Sequence, residues 1–248
     1  DGQVSLFMNV WKAKQEDKDS TSTLPYKIKV DDIDIENLSY AMSMLPTIDT
    51  LNASLQNLSL KNGVIDLRNN KIHAQFIGAN GGDINYIVPT QEYIAAHPAP
   101  TDTLPKQASV PMIIRGDSIS ITDINAKYAV QGTSPNKGFD ANYIVVNDFG
   151  IEIEDFYNRG NELRVPIRQM ILTERSGLKV TQTSGVVGID SLGIAIDKFH
   201  LSTVNSQIDI DGYVSYAMMA MEKYSPVRIT SKATIGFTDV IMYIPAIS

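Results

Sequence analysis

The chain has 248 residues, 43% of them hydrophobic, with no cysteine, a net charge of −7 and a pI near 4.9. That apolar content suffices for a real core, so disorder is not the default. The acidic balance speaks against a nucleic-acid partner and a polybasic membrane patch, and the lack of cysteine excludes disulfides and thiolate zinc sites.

Residues 2–11 start as a strand, with Val4, Leu6, Met8 and Val10 on one face, and residues 12–23 form a charged, Ser/Thr-rich loop. After Pro25, Ile28 and Val30 are apolar. The phase slips at Asp31-Asp32 to bring in Ile33 and Ile35, and again at Glu36-Asn37 to bring in Leu38 and Tyr40. Such slips, at Asp, Asn, Ser or Gly, recur along the chain and read as bulges or corners between very short strands.

Residues 41–45 read as a helical turn before Pro46. Leu51, Ala53 and Leu55 form the next run, then Leu58 and Leu60. Asn62-Gly63 carries a hairpin signature, with Ile65 and Leu67 returning from it. Asn69-Asn70 turns into Ile72, Ala74 and Phe76, and residues 78–83 turn again before Ile84, Tyr86 and Val88.

Prolines at 89, 98, 100, 105 and 111 mark a loop, since proline cannot donate to a ladder. One short helical turn fits at 92–96. The expected organisation is a first β segment at 1–88, a Pro-rich loop at 89–111 and a second β segment at 112–248, with one continuous sheet compatible. The second segment echoes the first. Pro25, Ile28, Ile33, Ile35 and Leu38 find counterparts 86 residues later in Pro111, Ile114, Ile119, Ile121 and Ile124. Tyr40-Ala41 then matches Tyr128-Ala129, Ile48-Asp49 matches Phe139-Asp140, and Leu55, Leu58 and Leu60 fall on Val146, Phe149 and Ile151. A repeat of this length suggests units that stack and extend.

Residues 144–156 and 163–172 continue the alternation around a turn at Arg159-Gly160-Asn161. In residues 174–213, Leu178 and Val180, Val187 and Ile189, Leu192, Ile194 and Ile196, Phe199 and Leu201, then Ile208 and Ile210 form short apolar runs. Period-two alternation puts each run on one sheet face. Residues 214–223 (VSYAMMAMEK) are the strongest helix candidate. Val227, Ile229, Ala233, Ile235 and Phe237 make a last pair of strands. The chain opens on Asp1 and stops at Ser248 without an evident cap, as a part of a longer protein would.

Catalytic chemistry finds little support. His73, His97 and His200 lie far apart, without metal-site spacing, and His200 has no obvious Ser or Asp partner nearby in sequence. Asp209-Ile210-Asp211-Gly212 starts like a calcium loop, but Met218 stands where the bidentate Glu belongs, so a β-turn after a strand fits better. Asp31, Asp32 and Asp34 read as turn and edge-strand charges rather than a glycosidase pair. The expectation is a protein that is not an enzyme, with no cofactor and no metal. An aliphatic sheet face must still be covered, by another sheet, a helix, a partner or a ligand. Patterning alone favours a β-sandwich over a trough that receives acyl chains.

The Glu-Arg-Ser-Gly-Leu element at 174–178, followed by Leu-Ser-Thr-Xaa-Xaa-Ser-Gln-Ile at 201–208, resembles repeats of the AsmA/TamB family of bacterial envelope proteins, most of all its large Bacteroidetes-type members. Phe139-Asp140, Ile65-Asp66-Leu67 and the closing Phe237-Thr238-Asp239-Val240 share the likeness, which spans most of residues 25–245. The Pro-rich loop departs from the usual form. The resemblance implies an all-β protein: a repetitive, curled antiparallel sheet forming an elongated hydrophobic groove, with at most one or two short helices. It also implies a periplasmic location, a parent anchored in the inner membrane, phospholipid acyl chains as cargo and outer-membrane assembly proteins as partners. The family has no catalytic residues to carry over. The residues expected to face lipid are Leu178, Val180, Ile189, Ile194, Ile196, Leu201, Ile208 and Ile210. The rival expectations are a β-sandwich binding module and an assembly platform that binds strands at its open edges.

Overall fold

A computed structural model describes residues 26–44, 49–97, 110–221, 225–241 and 243. The strand expected at 2–11, the loop at 12–23 and much of the Pro-rich loop lie outside the described residues. The protein is all-β, with 71% of the described residues in strands. Ten strands form one open sheet in sequential order: β1 (Lys27–Met44), β2 (Asp49–Asp66), β3 (Lys71–Val88), β4 (Ile113–Val130), β5 (Tyr143–Arg159), β6 (Glu162–Glu174), β7 (Lys179–Ile189), β8 (Gly193–Thr203), β9 (Gln207–Ser215) and β10 (Val227–Thr234). Among the described residues three short helices accompany them: α1 (Gln91–Ala96), α2 (Tyr216–Met219) and α3 (Phe237–Ile241). The single sheet corrects the sandwich reading, because no second sheet lies among the described residues.

The strands are longer than the sequence suggests. β1 to β4 each run 18 residues, straight through positions read as turns. Residues 41–44 continue β1 rather than forming a helical turn, residues 78–83 lie inside β3, and Asn62-Gly63 lies inside β2, whose hairpin to β3 falls at 67–70. The slips are corners within strands. Asn37, Asn62, Asp123, Asp148, Asp155 and Lys198 all take left-handed backbone, with φ between 47° and 56°. Asn and Asp tolerate that conformation because their short polar side chains bond locally.

The corners line up. Glu36–Asn57 and Leu38–Leu55 pair on either side of Asn37, Asn57–Asn80 and Leu55–Gly82 flank Gly81, and Asn80–Thr122 and Gly82–Ile124 flank Asp123. A second row passes through Asp31, Asn62, Gln75, Asp117 and Asp155. Neighbouring strands therefore slip in unison and the ladder survives, so the sheet curls along these rows instead of breaking. Side chains bind the corners across strands: Asn62 Nδ2 donates to Gln75 Oε1 at 2.5 Å, and Asn80 Nδ2 to Thr122 Oγ1 at 2.6 Å.

One pairing departs from the antiparallel expectation. β3 and β4 are parallel, so the chain after Val88 must return the length of an 18-residue strand, about 60 Å if straight. That return falls between Val88 and Ile113, the stretch that holds the prolines. The first and second β segments thus belong to one sheet. The echo also becomes structural: β1–β2 and β4–β5 are like hairpins, with Ile33 and Ile119 at equivalent places. Pairing shifts its second half by two residues, because Ile33 pairs Leu60 where Ile119 pairs Ile153. Leu60 therefore corresponds to Ile153, not Ile151.

Near the C-terminus the helix expected at 214–223 shrinks to α2, with Val214 and Ser215 in β9 and the Ser215 hydroxyl capping Met218 N–H. The expected last pair of strands is one strand, β10, followed by α3.

Candidate functional site: an uncovered apolar face

Cross-strand partners share a face, and β9 decides which side is which, because it has no irregularity toward β10. Ile208, Ile210, Gly212 and Val214 alternate along it, and their β8 partners are Leu201, Phe199, Ile196 and Ile194. Between Ile196 and Phe199 β8 carries one extra residue, the bulge at Asp197-Lys198, which restores the phase of the apolar side chains. Across β7 the same face takes Val180, Thr183, Val187 and Ile189, the partners of Thr203, Leu201, Ile196 and Ile194. Opposite the bulge only glycine fits: Gly185 has φ 130°, and a Cβ there would meet Phe199 Cα at 2.6 Å.

Seven of the eight residues expected to face lipid (Val180, Ile189, Ile194, Ile196, Leu201, Ile208 and Ile210) therefore lie on one face. Leu178 sits one step outside β7, in the turn where its carbonyl accepts from Glu174 N–H at 2.8 Å. Val187, Phe199 and Val214 belong to the same face. Alternation marks Val187 and Phe199 in the sequence, whereas Val214 opens the stretch whose composition suggests a helix.

The face continues over the whole sheet. Ile28, Ile65, Ile72, Ile114, Asn158, Leu163, Ile189, Ile194, Val214 and Val227 form one transverse row of direct partners through all ten strands. Nine of its ten members are apolar, over about 43 Å at nine strand spacings. No second layer covers it among the described residues. Among the described residues the buried apolar side chains are Ala74, Pro89, Ile124, Ala129, Ile153 and Val180, whereas Ile33 and Ile35 are 40% and 38% exposed.

The opposite face is polar. Arg168 reaches Glu154 at 2.6 Å, and that carboxylate holds the guanidinium pKa above its ordinary value. His73 Nε2 lies 2.7 Å from Asp117 across the parallel joint. His200 corrects its sequence reading, since its Nδ1 lies 2.7 Å from Asp209 and its Nε2 2.8 Å from Ser202 Oγ. The order Ser-His-Asp is that of a hydrolase relay, but Ser202 is only 9% exposed within a strand rather than raised on an elbow. Two shallow concavities, of 360 and 420 Å³, are lined by other residues. Asp209 and Asp211 lie in β9 rather than a turn, Asp211 facing Arg228 at 3.5 Å. Asp32 and Asp34 stand exposed on edge strand β1.

Polar residues of segments 139–140, 174–178, 201–208 and 237–240 meet at one end of the sheet, whereas Asp66 lies at the other. Asp239, in α3, accepts from Thr203 Oγ1, from Ser206 Oγ at 2.6 Å and from Asn205 Nδ2 at 3.0 Å. The Asn205 bond first, then those of Ser206 and Thr203, hold its carboxyl below the usual range. Arg175 donates to the carbonyls of Asn136 and Gly138 at 3.1 and 2.9 Å. Asp140 closes that loop on the N–H groups of Asn136 and Asn142, which lower its pKa. Tyr243, just past α3, packs on Phe139 with ring centres 5.2 Å apart. These elements fasten the rim of the sheet rather than line its apolar face.

Comparison with protein-family models finds no match, and comparison with curated proteins finds none either.

Proposed function

We propose that this chain is a segment of a periplasmic, bridge-like protein whose hydrophobic β-groove carries phospholipids between the inner and outer membranes. The observation that supports it is the transverse apolar row through all ten strands, which no second layer covers among the described residues. Each lipid CH₂ moved onto such a face from water is worth about 0.8 kcal/mol. A continuous strip therefore shields acyl tails along its length while headgroups stay wet. The polar opposite face, with its Arg168–Glu154 and His200–Asp209 pairs, suits water. The resemblance to the AsmA/TamB family of envelope proteins supports the same reading, and with it a parent anchored in the inner membrane and a role without catalysis. No nucleic-acid partner is proposed.

A second reading has its own support in the open edges of β1 and β10: a platform for outer-membrane assembly proteins, whose strands would add to the sheet. Native mass spectrometry of the purified chain separates the two. Co-purified phospholipid, displaced when Ile194→Glu is introduced, supports the groove. A lipid-free chain that captures extended peptides supports the platform and sinks the groove.

A further inference from the structure

The sheet ends on two unlike edges. Eight of its nine strand interfaces are antiparallel and one, β3–β4, is parallel, so β10 runs in the same direction as β1. Among the described residues nothing pairs with the outer side of either strand. β1 carries an acidic row on its polar face, Asp32, Asp34 and Glu36, all exposed. The polar face of β10 carries a basic row, Arg228 and Lys232, with Thr230 between them. On the apolar face, Ile33 is 40% exposed at one edge, and Val227 and Ile229 are 48% and 61% exposed at the other.

Such edges are templates for pairing, and soluble proteins ordinarily blunt them with short strands, bulges or inward charges. β1 is 18 residues long, and Asp32, Asp34 and Glu36 share its polar face. The five residues of β1 between the corner positions Asp31 and Asn37 carry that acidic row, and β10, at eight residues, is long enough to lie along all of them.

We propose that two copies of this chain join through these edges, β10 of one lying parallel to β1 of the next, as β4 lies against β3 within the chain. With Asp32 opposite Arg228, Glu36 falls opposite Lys232, and on the other face Ile33 falls opposite Ile229. Acid meets base on the polar side, and the apolar face runs unbroken from one copy to the next. The contact uses different surfaces on the two partners, so each added copy leaves a free edge and the sheet can lengthen. This joint does not depend on what the apolar face carries.

Sedimentation velocity of the whole chain over a concentration series tests it. The wild type self-associates, and added salt weakens the association. Arg228→Glu with Lys232→Glu, or Asp32→Lys with Glu36→Lys, each weakens it about tenfold or more, because like charges then face each other. Mixing the two double variants restores association, since each then offers the edge the other lacks. Circular dichroism confirms that both variants keep the sheet. For register, Ile33→Cys in one copy forms a disulfide with Ile229→Cys in another, and neither pairs with itself. A wild type that stays monomeric overturns the proposal, as do association indifferent to the charge reversals, variants that fail to recombine, and Ile229→Cys cross-linking to itself.

Discussion

Ser206 Oγ donates to the Asp239 carboxylate at 2.6 Å, tying the β8–β9 turn to a helix 33 residues further on. Ser206 is 5% exposed, and its hydroxyl also accepts Gly236 N–H at 3.0 Å. One side chain thus fixes both the turn out of β10 and the helix that follows.

Removing that carboxylate frees α3. Asp239→Ala is expected to speed amide exchange across 237–241 about tenfold, the scale of losing one charge-assisted hydrogen bond, while β1 to β7 exchange as before. Acid acts the same way. The folded pKa of Asp239 is depressed, so its contribution is fully present above the ordinary Asp value of 3.8 and is lost as pH falls below that through the folded value. Exchange measured at neutral pH and near pH 3 should show α3 loosening at the lower pH in the wild type, and little change in Asp239→Ala.

The corner residues should resist β-branched substitution. Asn62 has φ 47° in mid-strand, where a valine is strained by about 1–2 kcal/mol. Asn62→Val is expected to lower the unfolding free energy read from urea denaturation by that amount and Asn62→Gly by much less. Equal effects would mean that the loss of the Gln75 hydrogen bond, not the backbone, sets the cost.

Gly185 is a sharper case. Its φ of 130° and its 2.6 Å approach to Phe199 Cα leave no room for a side chain. Gly185→Val is expected to cost about 3 kcal/mol or more, on strain and the displaced bulge together. Chemical denaturation reads it directly, and a near-neutral result would contradict the bulge geometry.

Much of this architecture is legible in residues 201 and 208. Leu201 and Ile208 alternate cleanly with polar neighbours, and their pairing on one face follows from period two. Asn62-Gly63 misleads for a physical reason: left-handed Asn before Gly serves a hairpin and a mid-strand corner equally well, and only the pairing of Lys61 with Phe76 tells them apart. The parallel β3–β4 joint leaves no local mark, since the same loop would suit a linker. His200 found its acid in the next strand, through the pairing of residues 200 and 209. The Ser206–Asp239 bond spans 33 residues and no periodicity announces it. Segments 201–208 and 237–240 each stand out in the sequence, but their contact does not.

The apolar face itself is the central claim, and Ile194 and Ala195 divide it cleanly, adjacent in β8 and pointing to opposite sides. Ile194 pairs with Ile189 and Val214, Ala195 with Gly188 and Tyr213. A photo-reactive amino acid placed at each position in turn, with the chain expressed in a cell envelope, reads which side meets lipid. Cross-linking of phospholipid from position 194 and not from 195 is the predicted result. Cross-links to lipid from neither position, or equally from both, would contradict the account.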